Sequence, residues 1–399
     1  MPEGKRIAHD VVVIGLGAMG SAALFHLARR GKRVLGIEQF EPGHDRGSSH
    51  GESRAIRLGY FEHPSYVPLA RRAYENWREL EQLAGEKVLT VTGVLEIGKP
   101  GSVIVEGSLA ASRLHGLEHE VLDAGEIAKR YPQFTLPRDY SAVWQPEGGF
   151  LQPELANALH LKLAQAAGAE MLVNTPVLGV EPTSGGVRIV LRDRTIEAAS
   201  AVIAAGPWIG ELAPELKPHF ALSRQVLCWF APRDPDAVRL GTLPVFIIDG
   251  DDDIAYGFPD FSGSGFKCAS HHASGTWSRA DEARQDAGSA DEKRMRDFLE
   301  TYLPAAAGPL RDMRTCIYTK TPDEDFVIDL SPTDPRIVIA SPCSGHGYKF
   351  ASVVGEVLAD LAIDGWTRHN ISRFGIGRFA VHRWRLNTCH QSALAAFKH

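Results

Sequence analysis

Residues 15–20, Gly15-Leu16-Gly17-Ala18-Met19-Gly20, form a G-x-G-x-x-G run near the start of the chain. Before it stands an apolar stretch, 10–14, whose β-branched residues read as a buried strand. After it, 21–30 reads as a helix closed by Gly31. In that setting the run has a defined chemistry. Gly15 permits a tight turn, Gly17 lets backbone approach a pyrophosphate, and Gly20 allows the helix to pack closely on the strand. The helix start offers free N–H groups to phosphate oxygens. A second apolar strand, 33–37, ends at Glu38, which lies 18 residues after Gly20. A carboxylate at that distance would accept hydrogen bonds from ribose hydroxyls. The motif alone does not separate one dinucleotide from another.

Other reactive side chains are spread along the chain. Arg57 has the forked geometry that suits a carboxylate, and Lys349 can add a point charge to it. Lys349 falls at the expected start of a helix, where a cation opposes the helix dipole, so the position suggests a purpose. The alternatives are a surface ion pair for Arg57 and an exposed lysine for Lys349. Lys267 is followed four residues later by His271, with His272 adjacent. The five cysteines, Cys228, Cys268, Cys316, Cys343 and Cys389, are scattered and include no C-x-x-C pair. That argues against a disulfide framework and a structural zinc site, and makes a reducing cytoplasm the default. No His/Asp/Glu spacing suggests a metal centre.

The elements that must position these groups alternate in type. With 399 residues and 44% hydrophobic content, the chain should bury a large core and divide into two domains. A net charge of −6 gives no field for nucleic acid or an anionic membrane. Residues 11–28 carry no charge and superficially resemble a membrane span, but Asp10 and three central glycines favour strand–turn–helix. A polar, glycine-rich loop occupies 43–54. Helices are expected at 66–83, 124–131, 155–167 and 350–363, and strands at 92–97, 171–174, 187–191, 199–204 and 336–340. Hairpin-like strands fill 224–272. A charged helix is expected over 281–303, with Asp281, Glu282, Asp291, Glu292, Lys293 and Arg294 as a solvated face. Nucleotide-domain signatures thus occur at the start, middle and end, with β-rich material between. The expected fold is α/β, a discontinuous nucleotide domain (1–89, 150–221 and 324–399) interrupted by a substrate domain (90–149 and 222–323).

Several motifs converge on one family. The chain resembles the monomeric sarcosine oxidase and N-methyltryptophan oxidase family of D-amino-acid-oxidase-like flavoproteins. The likeness is carried by the G-x-G-x-x-G run, by Gly47-Ser48-Ser49-His50-Gly51-Glu52-Ser53-Arg54-Ala55-Ile56-Arg57 and by Tyr256-Gly257-Phe258-Pro259. It continues in Lys267 with His271, Cys316-Ile317-Tyr318-Thr319-Lys320-Thr321 and Ser344-Gly345-His346-Gly347-Tyr348-Lys349-Phe350. These blocks stand in family order and span roughly residues 10 to 375. The resemblance implies an FAD-binding, Rossmann-like domain of the glutathione-reductase type and an α+β substrate domain with a mixed or antiparallel sheet. It implies FAD carried as a thioether on Cys316, where the residue alone would also read as a small buried hydrophobe. Gly15, Gly17, Gly20, Glu38, Gly345, Gly347 and Lys349 would contribute to cofactor binding. Arg57, Lys349 and Tyr318 would meet the substrate. His50, Arg54, Tyr256, Lys267 and His271 would form the catalytic surroundings, with Lys267 promoting reaction with oxygen.

The activity so implied is oxidation of a small secondary amino acid at its carbon–nitrogen bond, with O2 giving H2O2, by a cytoplasmic monomer. A flavin dehydrogenase, or an oxidase of a cyclic imino acid or glycated amino acid, shares the same motifs. Two departures bear on the pocket: Ser49 stands where the family commonly has a histidine, and Pro342-Cys343 replaces smaller residues. The tail after Phe379, with His382, Trp384 and Cys389, matches nothing in the family pattern.

Overall fold

The computed structural model describes residues 8–272, 275–282 and 287–379. The tail and Cys389 lie outside the described residues. The core of the first sheet is parallel: His9–Ile14 lies between Val34–Ile37 and Thr195–Ile203, with Glu170–Leu172 beyond the former. Ile337–Ser341 also runs parallel to Thr195–Ile203, and Val327–Leu330 pairs antiparallel with it. Val11 to Ile14 are buried on both faces, Val11 and Val13 against the helices and Val12 and Ile14 against Val187, Ile189 and Ile209. Helices Ala18–Arg29, Pro153–Ala166 and Ala351–Asp364 pack together with Val67–Ala84 to form the largest apolar core.

The second sheet is almost wholly antiparallel. Among the described residues its order runs from Gly275–Trp277 through Ala221–Phe230, Phe266–Ser270, Ile254–Phe258, Val245–Asp249, Val94–Gly98 and Ser141–Gln145 to Glu120–Asp123. Leu310–Lys320 pairs along the whole of Ala221–Phe230. Side chains on a strand alternate between faces, so the register assigns each residue a side. Leu95, Ile97, Val226, Cys228, Phe230, Phe246, Ile248, Phe266 and Cys268 take one face and pack beneath helix Ser289–Tyr302 through Met295, Phe298 and Leu299. The opposite face carries Tyr256, Lys267, Ala269, Leu227 and Cys316. A small third sheet, Arg54–Ile56, Gly149–Leu151 and Leu89–Val91, stands beside them.

Some expectations require correction. The charged helix begins at Ser289, and Asp281 belongs to a separate 3-10 turn. Its polar residues are not simply solvated. Asp291 makes a paired contact with Arg224 at 2.8 and 2.9 Å, and Arg294 reaches the buried Asp253 at 2.8 Å. Both tie the helix to the sheet. The nucleotide helix starts at Ala18, three residues earlier than the apolar period indicated. Helix Val103–His115 was not expected. No helix among the described residues is long and apolar enough to cross a membrane.

Candidate active site

The glycine run leaves the end of the first strand as expected of a dinucleotide turn. Gly15 has φ +87°, and a Cβ there would meet the Ala204 carbonyl oxygen at 2.6 Å. At Gly20 a Cβ would collide with the Gly15 carbonyl. The helix has no side-chain cap at Gly17, but the Ala18 N–H donates to Ser49 Oγ at 3.1 Å. The departure at Ser49 therefore serves the helix start directly. Glu38 accepts from Leu16 N–H at 2.8 Å and from Phe40 N–H at 3.1 Å. Burial would raise its pKa, but His44 and these N–H groups outweigh it and hold the carboxyl below its usual range.

A long cavity starts at Glu38, Val177 and Trp208. It passes Gly15, Gly17 and Ser49 and ends against Arg54, Tyr318, Cys343, Gly345 and Tyr348. Its length, its glycine floor and a helix N-terminus at its middle fit an extended dinucleotide such as FAD. His50, buried just behind the far end, has no hydrogen-bond partner on either ring nitrogen, which marks a polar group awaiting one.

Loop 43–54 links the two sheets at that end. Ser48 Oγ donates to the Ile317 carbonyl at 2.7 Å, and Glu154 receives the Gly51 and Glu52 N–H groups. Arg54 crosses beneath the loop, donating to the carbonyls of Ser48, His50 and Ser53, with Cys316 Sγ 3.8 Å away. Lys267 points up from the sheet to the carbonyls of Gly51 and Ser53 and to Ser53 Oγ. Its ammonium stands 4.8 Å from the Phe258 ring centre, and burial, reinforced by Arg54, pushes its pKa well down. Burial alone would raise the Cys316 thiol. His50, Arg54 and Lys267 overcome this and bring it to about 7, although His50 makes no well-aligned bond to the sulfur. A thiol in such electropositive surroundings is poised as a nucleophile.

Two residues along from Cys316, Tyr318 shares its face. Its hydroxyl lies 3.3 Å from that of Tyr256. Gly345, at φ +84°, lies against Tyr318 and His271: a Cβ there would stand 2.6 Å from the Tyr318 ring and 3.2 Å from His271. Burial, above all, lowers the pKa of His271. Neighbouring His272 has a separate role, contacting Asp253 at 2.9 Å. Gly347 passes so close to the Pro342 carbonyl that no side chain fits, and Cys343 Sγ accepts from Thr319 N–H at 3.4 Å. Those contacts account for the Pro342-Cys343 departure as part of the loop's anchorage.

Arg57 and Lys349 meet at Tyr60. The guanidinium carbon is 4.5 Å and the ammonium 5.1 Å from its ring centre. Both cations are buried, which excludes the surface readings of either. Lys349 donates to the His346 carbonyl at 2.7 Å, and burial with Arg57 nearby lowers its pKa to about 7. Arg57 is not bare: its NH2 group donates to both oxygens of Glu62, at 2.8 and 2.7 Å, and Glu96 lies 3.2 Å from its Nε. Sequence reasoning missed both acids. Glu62 carried no signal, whereas Glu96 had one, a lone carboxylate in an otherwise apolar strand. Among the described residues no group of His, Cys, Asp or Glu could hold a metal ion.

A parallel nucleotide sheet, and a cavity lined both by its glycine turn and by Tyr318 of the second sheet, are the framework of a flavin-dependent oxidoreductase. Residues 10–361 match the FAD dependent oxidoreductase (DAO) family model, and the chain belongs to that family. It is 40% identical to the monomeric sarcosine oxidase of Streptomyces avermitilis over 94% of this chain and 98% of that one. It is 36% identical to N-methyl-L-tryptophan oxidase of Yersinia pestis, over 93% and 99% of the two chains. The solved structure of NikD, an unusual amino acid oxidase essential for nikkomycin biosynthesis, superposes with a TM-score of 0.81 at 26% identity, covering 92% of this chain and 97% of that one.

Proposed function

We propose that the protein is an oxidase of a small N-methyl amino acid such as sarcosine, with FAD held as a thioether on Cys316 and O2 as the electron acceptor. The observation that carries the substrate class is the convergence of Arg57 and Lys349 on the Tyr60 ring, with Lys349 bonded to the carbonyl of His346, the neighbour of the Gly345 that abuts Tyr318 and His271. Two cations side by side in a buried pocket suit a carboxylate. When bound, FAD accepts a hydride from the carbon beside nitrogen and passes two electrons, with two protons, to O2 as H2O2.

The chain's own groups have distinct tasks. Arg57 and Lys349 hold the carboxylate, so the nitrogen and its methyl group project toward the cavity end. Tyr256, Tyr318 and His271 wall the pocket and limit its rotation, an orienting role that lowers the entropic part of the barrier. Burial lowers the pKa of His271, which favours a neutral imidazole beside the amine. Lys267 holds its amino group beside the place where oxygen must be reduced; burial disfavours its cation in the free protein, and the negative charge developing there would favour the protonated form and be stabilised by it. The iminium product leaves for water, where its hydrolysis gives formaldehyde and the demethylated amino acid. No group in this scheme calls for a partner subunit, and we read the enzyme as a monomer working in the cytoplasm.

The test is the visible spectrum of the purified yellow protein, taken anaerobically before and after adding sarcosine. Bleaching that air reverses is the expected outcome. A flavin band that persists with sarcosine but bleaches with pipecolate or proline would transfer the assignment to cyclic secondary amines.

A further inference from the structure

Across the second sheet the strand register places six residues in one row: Arg314, Leu227, Ala269, Tyr256, Ile247 and Glu96. All lie on the face that meets the active site. Glu96 is fully buried there. One of its oxygens receives hydrogen bonds from Ser108 Oγ and Gln145 Nε2. The other, Oε1, stands 3.2 Å from Arg57 Nε but off the hydrogen-bond line, and it has no hydrogen-bond partner among the described residues. A buried carboxylate oxygen left without a partner is costly. It is an acceptor aimed at Arg57 and not yet used.

The two acids around Arg57 differ in how firmly they are held. Glu62 sits on the irregular segment between strand Arg54–Ile56 and the 3-10 turn Pro64–Tyr66, and its side chain is 19% exposed. Glu96 lies within a sheet strand, with 0% exposure and its other oxygen clamped. An arriving carboxylate must displace one of them from the guanidinium, and only Glu62 can withdraw. Arg57 then needs a fixed point about which to turn its free edge.

We propose that Glu96 is the positioning residue of the carboxylate clamp: it takes the Nε edge of Arg57 into its unused oxygen while the edge held by Glu62 is given over to the substrate carboxylate. This rests on the reading of Arg57 and Lys349 as that clamp. The groups facing Glu96 are Arg57 and Glu62 from the loop, Ser108 from the helix, Gln145 from the adjoining strand and Lys349 from the turn before the last helix. Burial raises Glu96 to about 7, against the pull of Arg57, so it is charged at pH 8.

The experiment compares the flavin-loaded wild type, Glu96→Gln, Arg57→Lys and the double variant at pH 8. Propionate, which has the carboxylate but no nitrogen, is titrated in, and its Kd is read from the change in flavin absorption. A glutamine fits the site, but Ser108 and Gln145 claim its oxygen, turning its NH2 toward the guanidinium. Glu96→Gln is expected to weaken propionate on the order of tenfold. Arg57→Lys has no Nε, so it should weaken binding on its own and leave Glu96 nothing to position; the double variant should then bind no more weakly than Arg57→Lys. If Glu96→Gln binds propionate as well as the wild type or better, the residue contributes only charge and the proposal is wrong. If its loss recurs in full on the Arg57→Lys background, its role is merely structural and the proposal is again wrong. Should Arg57→Lys itself leave propionate binding unchanged, the clamp reading fails and takes this inference with it.

Discussion

The charge state of the clamp should control substrate affinity near neutrality. In the free protein Lys349 titrates at about 7, because burial and the adjacent Arg57 disfavour its cation more than Glu62 and Glu96 favour it. A bound carboxylate favours the protonated lysine, so binding raises its pKa and takes up a proton. Affinity should be level below about pH 7 and fall above it, by up to about tenfold per pH unit. Glu96 works the other way as it ionises through about 7, since its charged form is the one that holds the Nε edge of Arg57, and it tempers this fall without reversing it. Other groups facing the clamp are silent in this range. Glu62 is held at about 2, chiefly because Arg57 overcomes its burial, and burial keeps His346 at about 4 and the Tyr60 hydroxyl un-ionised. A propionate Kd that stays flat between pH 6 and 9 would contradict this account. Arg57 and Lys349 could be singled out in the sequence because cations beside glycine-rich motifs are conspicuous. Their acids could not. The pairing of Glu96 with Arg57 depends on a parallel strand contact, Val245–Asp249 against Val94–Gly98, that local pattern does not encode.

Between elements, the cofactor cavity depends on how closely helices Ala18–Arg29 and Ala351–Asp364 approach. Gly355, in Ala351–Asp364, lies against Ala22 of Ala18–Arg29, and a Cβ at Gly355 would stand 2.5 Å from the Ala22 backbone. Backbone cannot yield as a side chain does. Gly355→Val should force the helices apart, cost about 1–3 kcal/mol and lower the thermal midpoint by several degrees. It should also lower the fraction of protein that takes up FAD, because the displaced helix carries the phosphate-facing N-terminus. Gly179→Val is the control: its Cβ would meet nothing within 4 Å, at the edge of the same sheet. Equal midpoints for the two variants would show that helix approach is not limiting. Elements of this core were legible because their apolar runs are long and their caps conventional. Helix Val103–His115 was not. It opens on β-branched residues and carries Gly107, which is tolerated because a Cβ there would meet the Phe61 carbonyl at 2.6 Å. Strand Leu310–Lys320 was also missed, because its charged residues disguise the alternation and pairing with Ala221–Phe230 sets its conformation.

At the scale of the whole molecule the cofactor site lies at a seam. One end of the cavity is built on the parallel sheet, and the other abuts the face of the antiparallel sheet that carries Cys316 and Tyr318. Polar contacts cross it near the flavin end, among them Ser48 to Ile317, Lys267 to the loop carbonyls and Trp229 to Glu52. A cofactor spanning the seam would hold the two parts together, and a thioether at Cys316 would make that hold independent of cofactor concentration. Wild-type protein precipitated with acid should then retain its yellow colour in the pellet, and its thermal midpoint should not respond to added FAD. Cys316→Ser should release the colour on precipitation. It should also gain stability as FAD is added, by about 2.7 kcal/mol when free FAD reaches a hundred times its Kd. The lowered thiol pKa gives a further handle: covalent attachment to apoprotein should proceed faster as pH rises through about 7, because the thiolate is the attacking form. A colourless wild-type pellet, with a midpoint that tracks FAD, would mean that Cys316 is a packed core residue and that FAD is held by the glycine turn and the loops alone.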